Sequence, residues 1–300
     1  MVRPRIGLTV GDPTGIGPEV VSKAIRDPQV VEACEPVVYG PMTKAELERF
    51  TTGSSSADGG RAAYDAIRVA TSDALAGKVD AIATAPVSKH GLALAGLPWR
   101  GHTELLAHLT GTADVAMMFH APRLRVVLTT VHVALADVPR LLTRARVETT
   151  IALAHGGLPA FGFLCPRLAL AGLNPHAGEA GVIGKEDERV LRPAVETMRG
   201  RGVDISGPLS ADTVFRRAVD GDYDAVIACY HDQGLIPVKL TGFGQAVNVT
   251  LGLPIIRTSV DHGTAYDIVG KDIADASSMI AAVLLAVRLA NGRRVDHEQR

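Results

Sequence analysis

Short apolar runs alternate along the chain with longer segments in which apolar and polar residues recur at helical spacing. The apolar runs have the length of buried strands, and they span Ile6 to Val10, Val37 to Tyr39, Ala81 to Thr84, Val115 to Phe119, Val126 to Thr130, Leu168 to Ala171 and Ala225 to Ala228. The amphipathic segments predict helices, and they span Pro18 to Ile25, Ala62 to Leu75, Val138 to Ala154, Lys185 to Arg199 and Ala276 to Leu289. This alternation is typical of βαβ units, so the pattern predicts an α/β fold with layered sheets.

One polar segment, Gly53 to Gly60, interrupts the alternation. It has low complexity and no helical spacing, so it predicts a mobile surface loop. A chain of 300 residues usually divides into two domains. Because 47% of the residues are hydrophobic and only 4% aromatic, the core must consist mainly of Ala, Val, Leu and Ile.

The charge and cysteine content limit the kinds of binding partner and the cellular compartment that the sequence favours. The 31 Lys and Arg residues are scattered among 32 Asp and Glu residues, which favours a small ligand over nucleic acid or a membrane. The longest apolar stretch, Met279 to Val287, is too short to span a bilayer, and the N-terminus does not resemble a signal peptide. Three distant cysteines without C-x-x-C spacing argue against disulfides and favour a reducing cytosol.

A glycine-rich turn follows the first predicted strand, in the segment Val10 to Glu19. It either presents backbone N–H groups to an anion or is a plain tight turn. It is not a Rossmann fingerprint, because Val20 stands where the third glycine is needed. The chain also lacks a phosphate P-loop, an H-E-x-x-H motif and a G-x-S-x-G motif, so the zincin and serine-hydrolase interpretations have no support.

Four histidines stand at the ends of predicted strands beside turn-forming residues: His132, His176, His231 and His262. In parallel sheets, ligands bind beyond the carboxyl ends of the strands, so these side chains can converge on one cleft. Neutral imidazoles are common ligands of divalent metals. A single loop histidine is more often structural, but four in the same local context favour a metal site.

Other polar residues have both a functional and a structural interpretation. Asp212 and Asp232 can complete a site or transfer protons, and either can instead cap a helix, Asp212 especially. His102 and Thr103 precede an amphipathic helix and suit an anion, although Thr103 can equally be an ordinary N-cap.

A stretch of glycines and β-branched residues from Pro237 to Val260 contains three further polar residues, Lys239, Asn248 and Arg257. Together they can clamp a phosphate or carboxylate. Each of them alone would pass for a solvated polar residue.

Taken together, these segments resemble the family of 4-hydroxythreonine-4-phosphate dehydrogenases of the vitamin B6 pathway, and the resemblance extends from Gly11 to near Leu289. The motifs that carry it are GDPTGIGPE at 11–19, GHTE at 101–104, TVH at 130–132, LNPHAGE at 173–179, GPLSADT at 207–213, YHDQG at 230–234 and NVTLGLPIIRTSVDHGTAYDIVG at 248–270. Several independent motifs in the same order make the resemblance specific. Two departures are Val131, where the family commonly has Thr, and a shorter segment at Gly53 to Gly60.

The resemblance implies a role for each matching residue. A divalent metal, zinc, magnesium or cobalt, would be bound by His132, His176 and His231. The substrate would be bound by His102, Thr103, Lys239, Asn248 and Arg257. The DHGTAYDIVG segment is similar to the nicotinamide-nucleotide segment of isopropylmalate and isocitrate dehydrogenases, which implies that NAD or NADP is bound through His262, Gly263, Thr264 and Asp267. Asp212 and Asp232 are the candidates for proton transfer.

The same resemblance implies two α/β/α domains with a central cleft, as in isocitrate and isopropylmalate dehydrogenases. A nucleotide-binding domain would comprise residues 1–98 and 250–300, and a metal, substrate and dimerisation domain residues 99–249. The enzyme would be a cytoplasmic homodimer with shared active sites and would act on a small phosphorylated hydroxy acid.

The implied reaction is oxidation of 4-phosphooxy-L-threonine at its 3-hydroxyl, followed by decarboxylation to 3-amino-2-oxopropyl phosphate, in pyridoxal phosphate biosynthesis. Three alternatives stay open. The chain could oxidise D-threonate or D-erythronate 4-phosphate, as sister enzymes do. It could be a metal-dependent phosphohydrolase, or a binding protein that kept the fold and lost turnover.

Overall fold

A computed structural model describes residues 3–242 and 244–298, with only the backbone described for 294–298. The chain forms two compact units, one of residues 1–113 and 247–300 and one of residues 114–246. Residues 99–113 and 247–249 thus belong to the first unit, whereas the predicted second domain spanned 99–249. The predicted domains also include residues 1–2, 243 and 299–300, which lie outside the described residues.

All seven predicted strands are confirmed, three of them with the predicted ends and four with ends that shift by one or two residues. The strands of the described residues are β1 Arg5–Thr9, β2 Glu35–Tyr39, β3 Ala81–Thr84, β4 Ala116–His120, β5 Arg125–Leu128, β6 Leu168–Ala171, β7 Ile205–Leu209, β8 Ala225–Ala228, β9 Val247–Leu251 and β10 Arg257–Ser259. The strands β7, β9 and β10 are not among the predicted ones. Strand β7 contains Gly207 and Pro208, which mask a strand pattern, and it can hold them because it lies at the sheet edge.

The predicted helices are confirmed in position, and two of them are more complex than predicted. The helices are α1 Gly17–Ala24, α2 Pro28–Ala33, α3 Lys44–Leu47, α4 Ala57–Leu75, α5 Lys89–Leu94, α6 His102–Thr110, α7 Val138–Leu141, α8 Arg144–Gly157, α9 Arg192–Gly200, α10 Ala211–Val219, α11 His231–Gly242 and α12 Ser277–Glu298. The helix predicted from Val138 to Ala154 is interrupted because Leu142 has ψ 73° and Thr143 caps α8. A π-helical turn, Asp187–Leu191, precedes α9.

In the first unit the strand order is β2-β1-β3-β10-β9. Strand β1 pairs in parallel with β2 and β3, β3 pairs in parallel with β10, and only β9 runs antiparallel. Strands β1 and β3 are fully buried after Arg5, which explains their continuous apolar sequences. The carboxyl ends of β1, β3 and β10 therefore lie at one edge of this sheet.

In the second unit the strand order is β4-β5-β8-β6-β7. Strands β5, β8, β6 and β7 are parallel to their neighbours, and β4 is antiparallel to β5. The core against this sheet includes Phe119, Val126, Phe215 and Leu235. As in the first unit, the parallel strands direct their carboxyl ends to a common edge, where ligands bind in open α/β sheets.

The prediction of a surface loop from Gly53 to Gly60 is wrong for its second half. Ser56 accepts a hydrogen bond from the Gly59 N–H and caps α4, so residues 57–60 form the first turn of that helix. Gly59 and Gly60 are buried, and a side chain at Gly60 would lie 2.0 Å from the Gly91 carbonyl oxygen. Gly60 allows α4 and α5 to approach closely, and a side chain at Gly59 would lie 2.7 Å from Asp12 Oδ1. A local polar pattern does not reveal these tertiary roles. Within the described residues, no helix is long and apolar enough to cross a membrane.

Candidate metal, anion and nucleotide sites

Three of the histidines predicted at strand ends follow parallel strands of the second unit. His132 follows β5, His231 follows β8 and His176 follows β6. In the sheet, β8 lies between β5 and β6, so all three loops emerge at the same edge. His262 follows β10, which belongs to the first unit.

His132 and His231 lie side by side, with ring centroids 5.5 Å apart and ring planes inclined by 41°. They line a cavity of about 250 Å³. The other lining residues are four apolar ones and two polar ones: Val131, Val133, Leu135, Val138, Tyr230 and Asp232. Two imidazoles at this separation can both reach one metal ion by small ring rotations, because zinc–nitrogen bonds are about 2.0 to 2.1 Å long. This pair fits a divalent metal.

Carboxylates orient two of the three proposed ligands. The Nδ1–H group of His231 donates to Asp232 Oδ1 at 2.7 Å, and that of His176 donates to Glu179 Oε2 at 3.2 Å. In each case the contact leaves Nε2 free to bind a metal, and such carboxylate–histidine pairs are typical of metal sites. Asp232, predicted as a proton-transfer group, thus contacts a proposed metal ligand.

His176 does not join the pair in this chain. Among the described residues, no group of three His, Cys, Asp or Glu side chains is placed to hold one metal ion. His176 is exposed and begins a left-handed turn in which His176, Ala177, Gly178, Glu179 and Ala180 all have φ between 45° and 80°. A left-handed conformation costs about 1 to 2 kcal/mol for each non-glycine residue, so other contacts must hold this turn in place.

The first unit contains a buried guanidinium that no ion pair compensates. Arg257 is 2% exposed, and it donates to Thr84 Oγ1 at 2.8 Å and to Thr250 Oγ1 at 3.0 Å, both neutral groups. No Asp or Glu of the described residues lies within ion-pair distance of it. Burial lowers the pKa of Arg257 from its ordinary value to about 9. A buried cation of this kind favours an anionic ligand, which would stabilise its charge.

Two polar atoms of the first unit are buried without a hydrogen-bond partner. They are His102 Nε2, in a residue that feels the charge of Arg257, and Asn248 Oδ1, on strand β9, which pairs with β10. Both residues are only half-buried overall, but these two atoms are not exposed to water. Burial lowers the pKa of His102 well below 6.5, and the charge of Arg257 lowers it further, so this imidazole is neutral at pH 7. Unsatisfied buried polar atoms are rare, so these two are candidates for hydrogen bonds to a ligand.

Helix α6 begins before Thr103, which one of the two interpretations of that residue placed at the N-cap. Gly101 is the N-cap and no side chain caps the helix, so the interpretation of Thr103 as an ordinary N-cap is wrong. His102 and Thr103 instead form the first turn, where backbone N–H groups and the helix dipole favour an anion.

Asp212 and Lys239 are exposed. The prediction that Asp212 caps a helix is wrong, because Ser210 is the N-cap of α10 and its Oγ donates to Asp212 Oδ1 at 2.5 Å. Lys239 lies on helix α11.

The proposed nucleotide segment packs onto the glycine-rich turn. The Ile16 N–H donates to the Thr264 carbonyl oxygen at 3.0 Å, and a side chain at Gly15 would lie 2.7 Å from the same oxygen. Tyr266 donates from its hydroxyl to Asp12 Oδ2 at 2.8 Å. Because the N–H groups of Thr14, Gly15 and Ile16 are all bonded within the chain, the interpretation as a tight turn is favoured over anion binding by that turn.

Within the segment itself, His262 Nδ1 lies 3.0 Å from the Gly263 carbonyl oxygen, and His262 Nε2 is buried without a partner. Gly263 and Asp267 are exposed, and Thr264 is half-buried. A side chain at Gly263 would meet no atom within 4 Å, so open space lies beside this backbone. The segment thus offers an unsatisfied ring nitrogen and an exposed carboxylate to a ligand.

Several residues have structural roles that were not predicted from the sequence. Asp12 and Asp187 are both fully buried, Tyr266 and Ser55 hydrogen-bond each other at 3.0 Å, and Glu179 contacts His176. Only Glu179 had a local signal, because it follows a candidate ligand at i+3. The partners of Asp12 and Asp187 are set by tertiary structure.

Comparison with known proteins places these features in context. The family described as "Pyridoxal phosphate biosynthetic protein PdxA" matches residues 18–286. The 4-hydroxythreonine-4-phosphate dehydrogenase of Geobacter metallireducens is 47% identical, over 96% of each chain. The D-threonate 4-phosphate dehydrogenase of Cupriavidus necator is 43% identical, over 97% of this chain and 98% of the other.

Solved structures agree with the fold. The 4-hydroxythreonine-4-phosphate dehydrogenase from Klebsiella pneumoniae superposes with a TM-score of 0.86 at 40% identity, over 96% of this chain and 98% of the other. The isocitrate dehydrogenase from Methylococcus capsulatus matches with a TM-score of 0.52 at 18% identity, over 98% of this chain and 89% of the other. The predicted fold class, that of the isocitrate and isopropylmalate dehydrogenases, is confirmed.

Proposed function

Because this chain belongs to the family of the pyridoxal phosphate biosynthetic protein PdxA, we propose that it is a metal-dependent dehydrogenase that oxidises 4-phosphooxy-L-threonine with NAD or NADP. Oxidation at the 3-hydroxyl gives a β-keto acid, which loses carbon dioxide to form 3-amino-2-oxopropyl phosphate. The reaction would serve pyridoxal phosphate biosynthesis.

The observation that carries the proposal is the buried, uncompensated guanidinium of Arg257, in the same unit as the unsatisfied His102 Nε2 and Asn248 Oδ1. Arg257 supplies charge and N–H donors to a phosphate or carboxylate of the substrate. The neutral His102 and the amide of Asn248 complete hydrogen bonds to the same group. Thr103, on the first turn of α6, and Lys239, on α11, are the further substrate contacts that we assign.

We assign the metal to His132, His176 and His231, with Asp232 and Glu179 fixing the tautomers of two of them. Since His176 does not join the other two in one chain, we propose that the third ligand comes from a second copy of the chain. Large apolar side chains close in sequence to the ligands support this homodimer: Leu135 is 67% exposed, Val182 81% and Leu240 82%. Their contact with a second copy would remove them from water.

When bound, the divalent metal would acidify the substrate hydroxyl and the nicotinamide would accept the hydride. The chain's own residues supply binding and orientation. His262, Gly263, Thr264 and Asp267 hold the nucleotide, and Asp12 supports that segment through Tyr266. Asp212, exposed on the first turn of α10, is the group we assign to proton transfer to solvent. The three cysteines are free, which suits the cytoplasm.

The first test is the substrate-dependent appearance of reduced nicotinamide absorbance in the metal-stripped protein, with zinc, magnesium or cobalt added back in turn. We expect no turnover without metal and restoration by at least one of the three. Turnover that is complete after chelation would contradict the proposal, and release of phosphate without any cofactor would favour a phosphohydrolase instead.

The shared metal site has a separate test. His132→Ala and His176→Ala homodimers should both be inactive, and a mixture refolded or co-expressed together should regain about a quarter of wild-type activity, because half the dimers are mixed and each has one intact site. A single-chain site would give no recovery, and that outcome would overturn the sharing.

A second candidate substrate is D-threonate 4-phosphate, favoured by the 43% identity to the dehydrogenase of Cupriavidus necator that bears that name. It differs from 4-phosphooxy-L-threonine in carrying a hydroxyl rather than an ammonium at the second carbon. Values of kcat/KM for both substrates, measured with NAD and with NADP, decide between them. A higher value for D-threonate 4-phosphate would replace the proposed substrate and leave the metal and anion assignments unchanged.

A further inference from the structure

The left-handed turn that begins at His176 packs against a buried carboxylate. Asp187 is 0% exposed and belongs to the π-helical turn that precedes α9. A methyl group placed on Gly178, in the middle of the left-handed turn, would lie 3.3 Å from both Cβ and Oδ2 of Asp187. A methyl group on Gly172, just before the turn, would lie 2.9 Å from Asp187 Oδ1. The two glycines therefore leave the space that this carboxylate occupies.

Asp187 accepts three hydrogen bonds from the segment that leads into the turn. The Leu173 N–H donates to Oδ1 at 2.8 Å, and the Asn174 N–H and Nδ2 donate to Oδ2 at 3.1 and 2.8 Å. All three donors are neutral amides, and all three precede His176 by no more than three residues. The carboxylate thus fixes the backbone immediately before the proposed metal ligand.

A second carboxylate, that of Glu186, also accepts a hydrogen bond from the side chain of Asn174. Glu186 Oε2 accepts from Asn174 Nδ2 at 2.9 Å, and this hydrogen bond lowers the pKa of Glu186 below its usual value. A side chain at Gly184 would lie 2.6 Å from Asn174 Nδ2, so the amide is enclosed as well as bonded. Asn174 is therefore held from two sides, and His176 follows it after a single proline.

We propose that Asp187 is a positioning residue for metal binding: it holds the strained left-handed turn so that His176 is presented ready to ligate, without touching the metal itself. The inference rests on the proposed metal site. It explains why a loop with four non-glycine residues at positive φ persists on the surface, because a conformation of that kind exists only where surrounding contacts impose it.

The test substitutes Asp187→Asn in the full-length, metal-free protein, which keeps the size of the side chain but places an amide where two N–H groups donate. Glu188→Gln is the matched control, because Glu188 lies on the same π-helical turn and pairs with Arg192 at 2.6 Å instead. Zinc and cobalt titrations give the metal affinity, and the visible bands of bound cobalt report its coordination geometry. Hydrogen exchange of peptides that cover residues 172–181 gives the mobility of the turn.

We expect Asp187→Asn to weaken metal binding by at least about tenfold, as loss of an outer-shell partner does, to change the cobalt bands and to accelerate exchange of the turn. Glu188→Gln should resemble the wild type in all three. If Asp187→Asn fails to fold, Asn174→Ala serves instead; it retains the two backbone hydrogen bonds and should show a smaller change in the same direction.

A folded Asp187→Asn protein that binds metal within about twofold of the wild type, with unchanged exchange, would overturn the positioning role. A wild-type chain that binds no divalent metal would overturn the metal assignment and the positioning role with it. The two failures are distinguishable, because the first leaves wild-type metal binding intact.

Discussion

The proposed anion site of the first unit and the proposed metal site of the second are built in opposite ways. Arg257 and the key atoms of His102 and Asn248 are buried and already oriented before any ligand arrives. His132 and His176 are exposed, and His176 does not join the pair of His132 and His231. In the free protein, the uncompensated charge of the anion site therefore destabilises the fold. The metal site, in contrast, is complete only when a metal and a second copy of the chain are present.

The contrast shows that a preformed ligand site can lower the stability of the free protein, whereas a site that is completed on binding need not. A buried charge without a partner destabilises the free fold and is compensated on binding. Exposed histidines cost the fold almost nothing, and their geometry depends instead on the carboxylates and the turn that hold them. The four predictions below test the contrast, beginning with the largest expected effect.

Removing a metal ligand should abolish metal binding altogether. His231→Ala leaves only two of the three proposed imidazole ligands, too few to retain a divalent metal at stoichiometric level through dialysis. Elemental analysis after dialysis checks this. His262→Ala is the control from the first unit, since it removes another histidine at a strand end and should leave the metal content unchanged; a fall in metal content there would break the separation of the two sites.

Neutralising the buried guanidinium should affect activity and stability in opposite directions. We expect Arg257→Gln to lower kcat/KM by about a hundredfold, in line with about 2 to 5 kcal/mol for a buried charged contact. The Tm of the ligand-free protein should stay the same or rise, because the unpaired buried charge is gone. Arg293→Gln, which alters an exposed guanidinium bonded to the Pro254 carbonyl oxygen, serves as the control. A large fall in Tm for Arg257→Gln would contradict a preformed, strained anion site.

Stability should fall in mild acid because of His102. Its pKa is well below 6.5 in the folded chain, so below pH 6.5 the unfolded chain binds a proton that the folded chain does not. The free energy of unfolding should therefore decrease as pH falls from 6.5, by at most about 1.4 kcal/mol per pH unit, and be unaffected by this group above 6.5. Denaturant unfolding of His102→Gln between pH 5 and 7 should show a flatter profile; an equally steep one would assign the acid sensitivity elsewhere.

The smallest effect should come from the exposed carboxylate beside His176. Glu179→Gln keeps a hydrogen-bond acceptor for the His176 Nδ1–H group and removes only a solvated charge. We expect metal affinity to fall by less than about tenfold, measured by competition with a chromophoric chelator. A loss as large as that expected for Asp187→Asn would mean that the exposed contact matters as much as the buried one.

The fold was predictable where the signal is local. Buried parallel strands such as Ala81–Thr84 and Ala225–Ala228 are continuous apolar runs, and their ends match the structure. Strand β10, Arg257–Ser259, has no apolar run, since its buried residues are Arg, Thr and Ser. Its burial follows from its place between β3 and β9, which no local pattern encodes.

The candidate site follows the same rule. Histidines at strand ends can be recognised from the sequence, and the parallel pairing of β5, β8 and β6 accounts for their common edge. The buried carboxylates Asp12 and Asp187 could not be recognised, because each looks like an ordinary turn or helix residue until its partners are known. Tyr266 lies 254 residues from Asp12 in the sequence, and a contact of that range has no local signature.

The division of the first unit into two stretches of sequence has a consequence for how the chain is made. Residues 114–246 emerge from the ribosome as one continuous piece and can begin to fold as soon as they are synthesised. The first unit must wait, because β10 pairs with β3 near the middle of its sheet and is made only after residue 256. Until then this edge of β3 is unpaired, so the nascent chain presents an open strand edge.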